Sequence, residues 1–155
     1  MAQVLGICWA FQAQTEGEFL KELKRFPDWQ NRLSEYINSV AMHPFCPGTF
    51  DCMLFGAGAV QAQTGVDLAH GWGRYLSLTE GREMLKASGY SSHTDLVAEL
   101  LPACPVLNAR VGDIAILDGD LGQSVGVVQG HSIYVLQQGG IGVVPLTDAK
   151  RAFRV

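Results

Sequence analysis

The hydrophobic period of this chain changes once, close to Pro102. Before it, apolar residues recur at helical spacing, most clearly as the stripe Trp29, Leu33, Tyr36, Ile37 and Val40. After it come short apolar runs, Ile114–Leu117, Ser124–Gln129, Ile133–Gln137 and Ile141–Pro145, separated by Gly and Asp. Runs so close in sequence pair as an antiparallel meander. Helices first and strands second predict an α+β fold, with N-terminal helices packed on a C-terminal antiparallel sheet.

Local signals place the helices. Phe19, Leu23 and Phe26 share a helical face, and Pro27 ends that helix. Asp28 then fits the N-cap of the next one. His43 to Phe50, broken by Pro44, Pro47 and Gly48, reads as loop. A further helix starts near Asp51, runs to about Gln63 and stops at Gly65. Gly56 and Gly58 inside it cost about 1 kcal/mol each against alanine, which predicts close packing of this helix on the sheet. Residues 66–78 form an irregular connection carrying His70, Trp72 and Tyr75. Thr79 caps a short helix that ends before Gly89, and another runs from about Thr94 to Leu101. His93 precedes that helix and reads as a surface or capping residue.

A chain of 155 residues suits one domain. We divide it into an N-terminal extension, residues 1–27, and an α+β domain, residues 28–155. Val4 to Phe11 is apolar but short and no Lys or Arg precedes it, so it reads as a strand or packing arm rather than a signal peptide. No run of 18 apolar residues occurs, so no membrane span is expected.

The net charge of −4 and the small basic groups, Lys21, Lys24 and Arg25 or Lys150, Arg151 and Arg154, argue against nucleic acid and anionic membranes. We read them as a solvated helix face and a charged tail. Cys8, Cys46, Cys52 and Cys104 are expected to be thiols, because a domain this large does not need disulfides. His43, Cys46, Cys52 and His70 match no usual zinc spacing, and no metal or cofactor is expected.

Cys52 is the candidate chemical residue. It follows a Gly- and Pro-containing loop at the first turn of a predicted helix, where free N–H groups and the helix dipole favour a thiolate. A buried structural cysteine is the competing reading.

These residues carry a resemblance. Phe50-Asp51-Cys52 before a small-residue helix is similar to the nucleophile motif of NlpC-type, papain-like cysteine peptidases. Gly112-Asp113 with the apolar run Ile114–Leu117 resembles a strand of that family, and Ser124-Val125-Gly126-Val127-Val128 resembles the next, which usually begins His-Val-Gly. The Asp28-Trp29, Arg32-Leu33 opening and the Phe153-Arg154-Val155 ending look like those of tailed-phage tail-module proteins within that superfamily. The resemblance implies a papain-like fold with Cys52 as nucleophile.

Three departures accompany it. The family's catalytic histidine position is Ser124 here, and serine is no general base near neutral pH. Phe45 stands where a tyrosine is frequent, and Met53 where serine is usual. Gln137 or Gln138 falls in the region of the residue that would orient the histidine. His43, His70 and His131 are alternative bases. His131 is displaced from Ser124 by roughly 23 Å of extended strand, at ~3.3 Å per residue.

Two functions follow as expectations. The first is a virion tail-tip or baseplate component, docked to other tail proteins, with a degenerate catalytic site. The second is a cysteine peptidase or amidase that cleaves peptidoglycan stem peptides during phage entry. A small α+β protein of unrelated role is the third possibility, since fold does not dictate function.

Overall fold

A computed structural model describes residues 23–72 and 74–155. The predicted arm at Val4–Phe11, Cys8 and most of the 1–27 extension lie outside the described residues. Leu23 to Phe26 are not helical. Tertiary contacts override their helical spacing: the Phe26 N–H donates to the Gln63 carbonyl at 2.8 Å, and the Arg25 guanidinium reaches across to Val155 and Asp113.

Four described helices follow: α1 (Trp29–Val40), α2 (Cys52–Thr64), α3 (Leu78–Ala87) and α4 (His93–Leu100). Asp28 occupies the N-cap of α1, but its side chain makes no cap bond. It accepts instead from Arg32 Nε, one turn on, at 2.8 Å. Ser77, not Thr79, caps α3, and Ser92 caps α4. Both use their hydroxyl to satisfy an N–H of the first turn. Helix α2 ends at Gly65 with φ +78°, a left-handed conformation that suits glycine.

The sheet contains β1 (Ala103–Cys104), β2 (Ile114–Gly119), β3 (Gly122–Gln129), β4 (Ser132–Gln137), β5 (Gly140–Pro145) and β6 (Ala149–Phe153), in the order β1-β6-β2-β3-β4-β5. Every pairing is antiparallel, and β2 to β5 form the predicted meander. The architecture is thus α+β. Strand β6 corrects the reading of residues 150–155 as a charged tail. Lys150 and Arg151 are exposed, but Ala152 and Phe153 are buried between β1 and β2.

Helix α2 is the central helix. Phe55 and Val60 pack with Ile114, Ile116, Val125, Val127 and Phe153 from the sheet and with Leu96 and Leu100 from α4. Complete burial of side chains of this size contributes about 1.5–3 kcal/mol each. Ala115, Val128, Ile133, Val135 and Leu146 form a second apolar cluster. The two interior glycines of α2 have separate explanations. A Cβ on Gly56 would stand 2.7 Å from Val125 Cγ1, so the predicted packing on the sheet accounts for it. A Cβ on Gly58 would collide with the Tyr36 ring, so there the close neighbour is α1. The Tyr36 hydroxyl then donates to the Phe55 carbonyl at 2.9 Å.

Gly112-Asp113 anchors the far end of α2. Gly112 has φ +89°, and a Cβ there would overlap the Gln63 amide, which donates to the Gly112 carbonyl at 3.0 Å. Asp113 is buried and accepts from the Arg110 N–H, the Val155 N–H and Arg25 Nη2, with Arg154 Nη1 at 3.7 Å. A buried carboxyl group is tolerated here because cations and N–H groups replace its water.

Candidate functional site

The opposite end of α2 is built around a second buried aspartate. Asp51, in extended backbone, caps the helix by accepting from the Leu54 N–H at 3.1 Å. Its other oxygen accepts from the Gly48 N–H at 3.0 Å and from the Tyr75 hydroxyl. Gly48 has φ +75° and faces the Tyr75 carbonyl so closely that no Cβ would fit. Asp51 thereby joins three segments: the loop before α2, the helix itself and the 66–77 connection.

Cys52 is the first residue of α2. Its thiol interacts with the Ser124 side chain and with the backbone of Val125 and Met53. Burial pushes the thiol pKa up, and the Asp51 charge adds to this. The bonds from Val125, Ser124 and Met53 act in the opposite sense. Burial therefore outweighs the helix terminus that predicts a thiolate, and the thiol stays protonated at neutral pH. Burial also raises the Tyr75 pKa, aided by its bond to Asp51 and by the charges of Asp51 and Cys52.

These groups open on one pocket of about 730 Å³. One part of its wall is polar: Asp51, Cys52, Tyr75, His93, Gln123 and Ser124. The remainder is mostly apolar and includes Phe45, Leu68, Met84, Leu85, Leu96 and Val97.

His93 is the residue that sequence reasoning missed. Ser92 does the capping, and His93 is half-buried, facing the pocket from the first turn of α4. Thr94 Oγ1 donates to Gln123 Oε1 at 2.8 Å, and the His93 ring bonds the Gln123 backbone, which holds α4 against the start of β3. Burial lowers the His93 pKa. Asp51 acts to raise it, Arg82 lowers it further, and the Gln123 bond raises it. The imidazole is therefore neutral near pH 7 and able to accept a proton.

Cys52 and Ser124 thus meet, while the three histidines singled out from sequence stay away from the pocket. His43 is exposed and packs at a tilt against Phe50, with ring centroids 4.6 Å apart and planes 57° apart. His70 sits exposed in a turn of the 66–77 connection, and His131 in the turn between β3 and β4. Phe45, Met53, Gln137 and Gln138 all line the pocket, the two glutamines as exposed residues. Tyr75 supplies a hydroxyl that position 45 lacks, from the other side of α2 in sequence. The only sequence signal for His93 and Tyr75 was that polar aromatics occurred in short segments between elements. Among the described residues, no three His, Cys, Asp or Glu side chains are placed to hold a metal ion. Cys46, Cys52 and Cys104 are free thiols, and no described helix is long and apolar enough to cross a membrane.

Residues 24–155 match the family described as a domain of unknown function, DUF6950, and the chain belongs to that family. No curated protein matches the chain.

Proposed function

We propose that this is a papain-like domain of NlpC type that serves as a tail-tip or baseplate component of a phage virion, with a pocket that no longer hydrolyses peptides. One observation carries the loss of peptide hydrolysis: the side chain bonded to the Cys52 thiol is the Ser124 hydroxyl, not an imidazole. No histidine is among the described groups that act on the thiol, and burial keeps its proton in place. A positioned general base contributes about 10²–10⁴ in rate, and amide cleavage also needs a proton for the leaving amine. The tail assignment rests on the Asp28-Trp29, Arg32-Leu33 opening and the Phe153-Arg154-Val155 ending.

His93 favours a second reading. A neutral imidazole faces the same pocket as Cys52, so a cysteine hydrolase of peptidoglycan stem peptides would take its base from α4 rather than from β3. Incubation of purified peptidoglycan with the protein and with Cys52→Ala, followed by mass spectrometry of released fragments, separates the two. Release that vanishes in the variant establishes the hydrolase. No release from either protein between pH 5 and pH 9 leaves the tail component.

A further inference from the structure

Helix α3 is held to the body less firmly than the other helices beside the pocket. Its sequence is amphipathic. Leu78, Met84 and Leu85 line the pocket, whereas Glu80, Glu83 and Lys86 are exposed. An apolar stripe of this kind normally packs on other side chains. Here Leu85 is the one buried residue of the ten, and Leu78 and Met84 are only half-buried. Helix α2, by contrast, buries Phe55, Ala59 and Val60. Little apolar area therefore fixes α3 in place.

The helix is slung between two tyrosines. Before it, the Tyr75 hydroxyl donates to Asp51. After it, Tyr90 bonds Glu99 of α4, and its ring lies 6.4 Å from that of Trp72. The chain can turn at both ends of the span. Leu76 is exposed, and Gly89 has φ +92° where a Cβ would meet nothing within 4 Å. Among the described residues, one side-chain hydrogen bond leads from α3 to a distant segment. The exposed Arg82 donates from Nη2 to the Leu121 carbonyl, in the turn between β2 and β3, at 2.8 Å. Arg82 and Leu121 both line the pocket and both are exposed, so the bond bridges its rim. The receiving turn is itself anchored, because Gln123 is tied to α4 through Thr94 and His93.

We propose that α3 is a lid over the pocket and that the bond from Arg82 to the Leu121 carbonyl is its latch. With the bond made, α3 and the β2–β3 turn close the rim. With it broken, residues 76–89 swing on the Tyr75 and Tyr90 anchors and solutes reach Cys52. Leu85 is the one buried residue of α3 that must leave its site, so opening stays local and leaves α2 and the sheet folded. One hydrogen bond of this kind shifts the ratio of closed to open lid by about fivefold. The device goes beyond the tail-component reading and operates whether or not the pocket hydrolyses anything.

The test is Arg82→Met, which keeps the reach of the side chain and removes its donors. The full chain and the variant are compared by amide hydrogen exchange with peptide mass spectrometry, and by iodoacetamide alkylation of Cys52. The exposed Cys46 serves as the reference thiol in the same chain. Amides of α3 should exchange about fivefold faster in the variant, with those of α2 and β2 to β4 unchanged. The ratio of Cys52 to Cys46 alkylation should rise by about the same factor. Loss of the cation alone would act in the opposite direction, since it raises the thiol pKa and slows alkylation. Unchanged exchange in α3 overturns the latch. Faster exchange throughout the chain also overturns it, as general destabilisation. Faster exchange in α3 with a constant Cys52 ratio overturns the lid, because the helix then frays without guarding the pocket. Both readouts are taken without substrate, so failure of the latch and failure of the tail-component reading are separate results.

Discussion

Helix α2 has a buried aspartate at each end, and the two are neutralised in different ways. Asp113, beside the C-terminal turn, faces Arg25 and Arg154 as well as two backbone N–H groups. Asp51, at the N-terminus, accepts from two backbone N–H groups and a tyrosine hydroxyl, and among the described residues no arginine or lysine pairs with it. The first arrangement cancels charge and fastens residues 25, 110 and 155 together. The second leaves a net negative charge that is felt by Cys52, Tyr75 and His93. A cancelled charge is a fastener, whereas an uncancelled one tunes its neighbours, and the pocket lies at the uncancelled end.

That contrast can be broken most forcefully at Asp113. Removal of one partner from a buried ion pair costs 3–5 kcal/mol. Because Arg25 and Arg154 keep some contact with water, we expect about 3 kcal/mol for Asp113→Ala, read from urea unfolding, with Cys52 alkylation by iodoacetamide unchanged in the folded protein. Asp51→Ala should cost less, about 2 kcal/mol, from the lost cap and the orphaned Tyr75 and Gly48 donors. Asp51→Asn keeps an acceptor for the Leu54 N–H but removes the charge and faces the Gly48 N–H with an NH2 group that cannot accept from it. It should cost about 1 kcal/mol while Cys52 alkylation at pH 8 becomes faster, and equal alkylation rates would erase the distinction between the two ends.

Smaller effects come from pH. The thiol pKa is raised above its ordinary 9.0 on folding, so the stability linked to Cys52 is complete below pH 9 and is lost as pH rises beyond it. Cys52→Ala should shallow that alkaline decline of the urea midpoint between pH 8.5 and 10, leaving the part due to Cys104, whose pKa is also raised by burial, and to the tyrosines. The His93 pKa is depressed below its ordinary 6.5, so its contribution is present above that value and lost as pH falls through the folded value. His93→Gln should shallow the decline of the midpoint from pH 6.5 to pH 5. This is the smallest of the expected changes.

The elements that sequence reasoning found are those whose signals are local. Gly65 stops α2, and the turn glycines delimit β2 to β5. Strand β6 escaped because Lys150 and Arg151 project from its exposed positions, so only Ala152 and Phe153 show the buried face. His93 and Tyr75 escaped for another reason. Tyr75 belongs to a segment with no periodicity and His93 opens α4 just ahead of its apolar stripe, and each comes under the influence of Asp51 only where the 66–77 connection and α4 lie over α2. Cys52 and Ser124 were found as separate motifs, and their meeting is a property of the way α2 lies on β3.

The position of β6 also bears on how the chain is made. It lies between β1 and β2 but follows both in sequence. During synthesis β2 therefore emerges with one long edge bare, and no described strand that precedes it pairs with that edge. A bare edge is a template for pairing with another molecule, and at translation rates of about 5–20 residues per second this one remains open until residues 149–153 arrive. Nascent chains crowded on one message are then at risk of pairing with each other, and a truncation that removes only Ala149–Phe153 should send the product to the insoluble fraction.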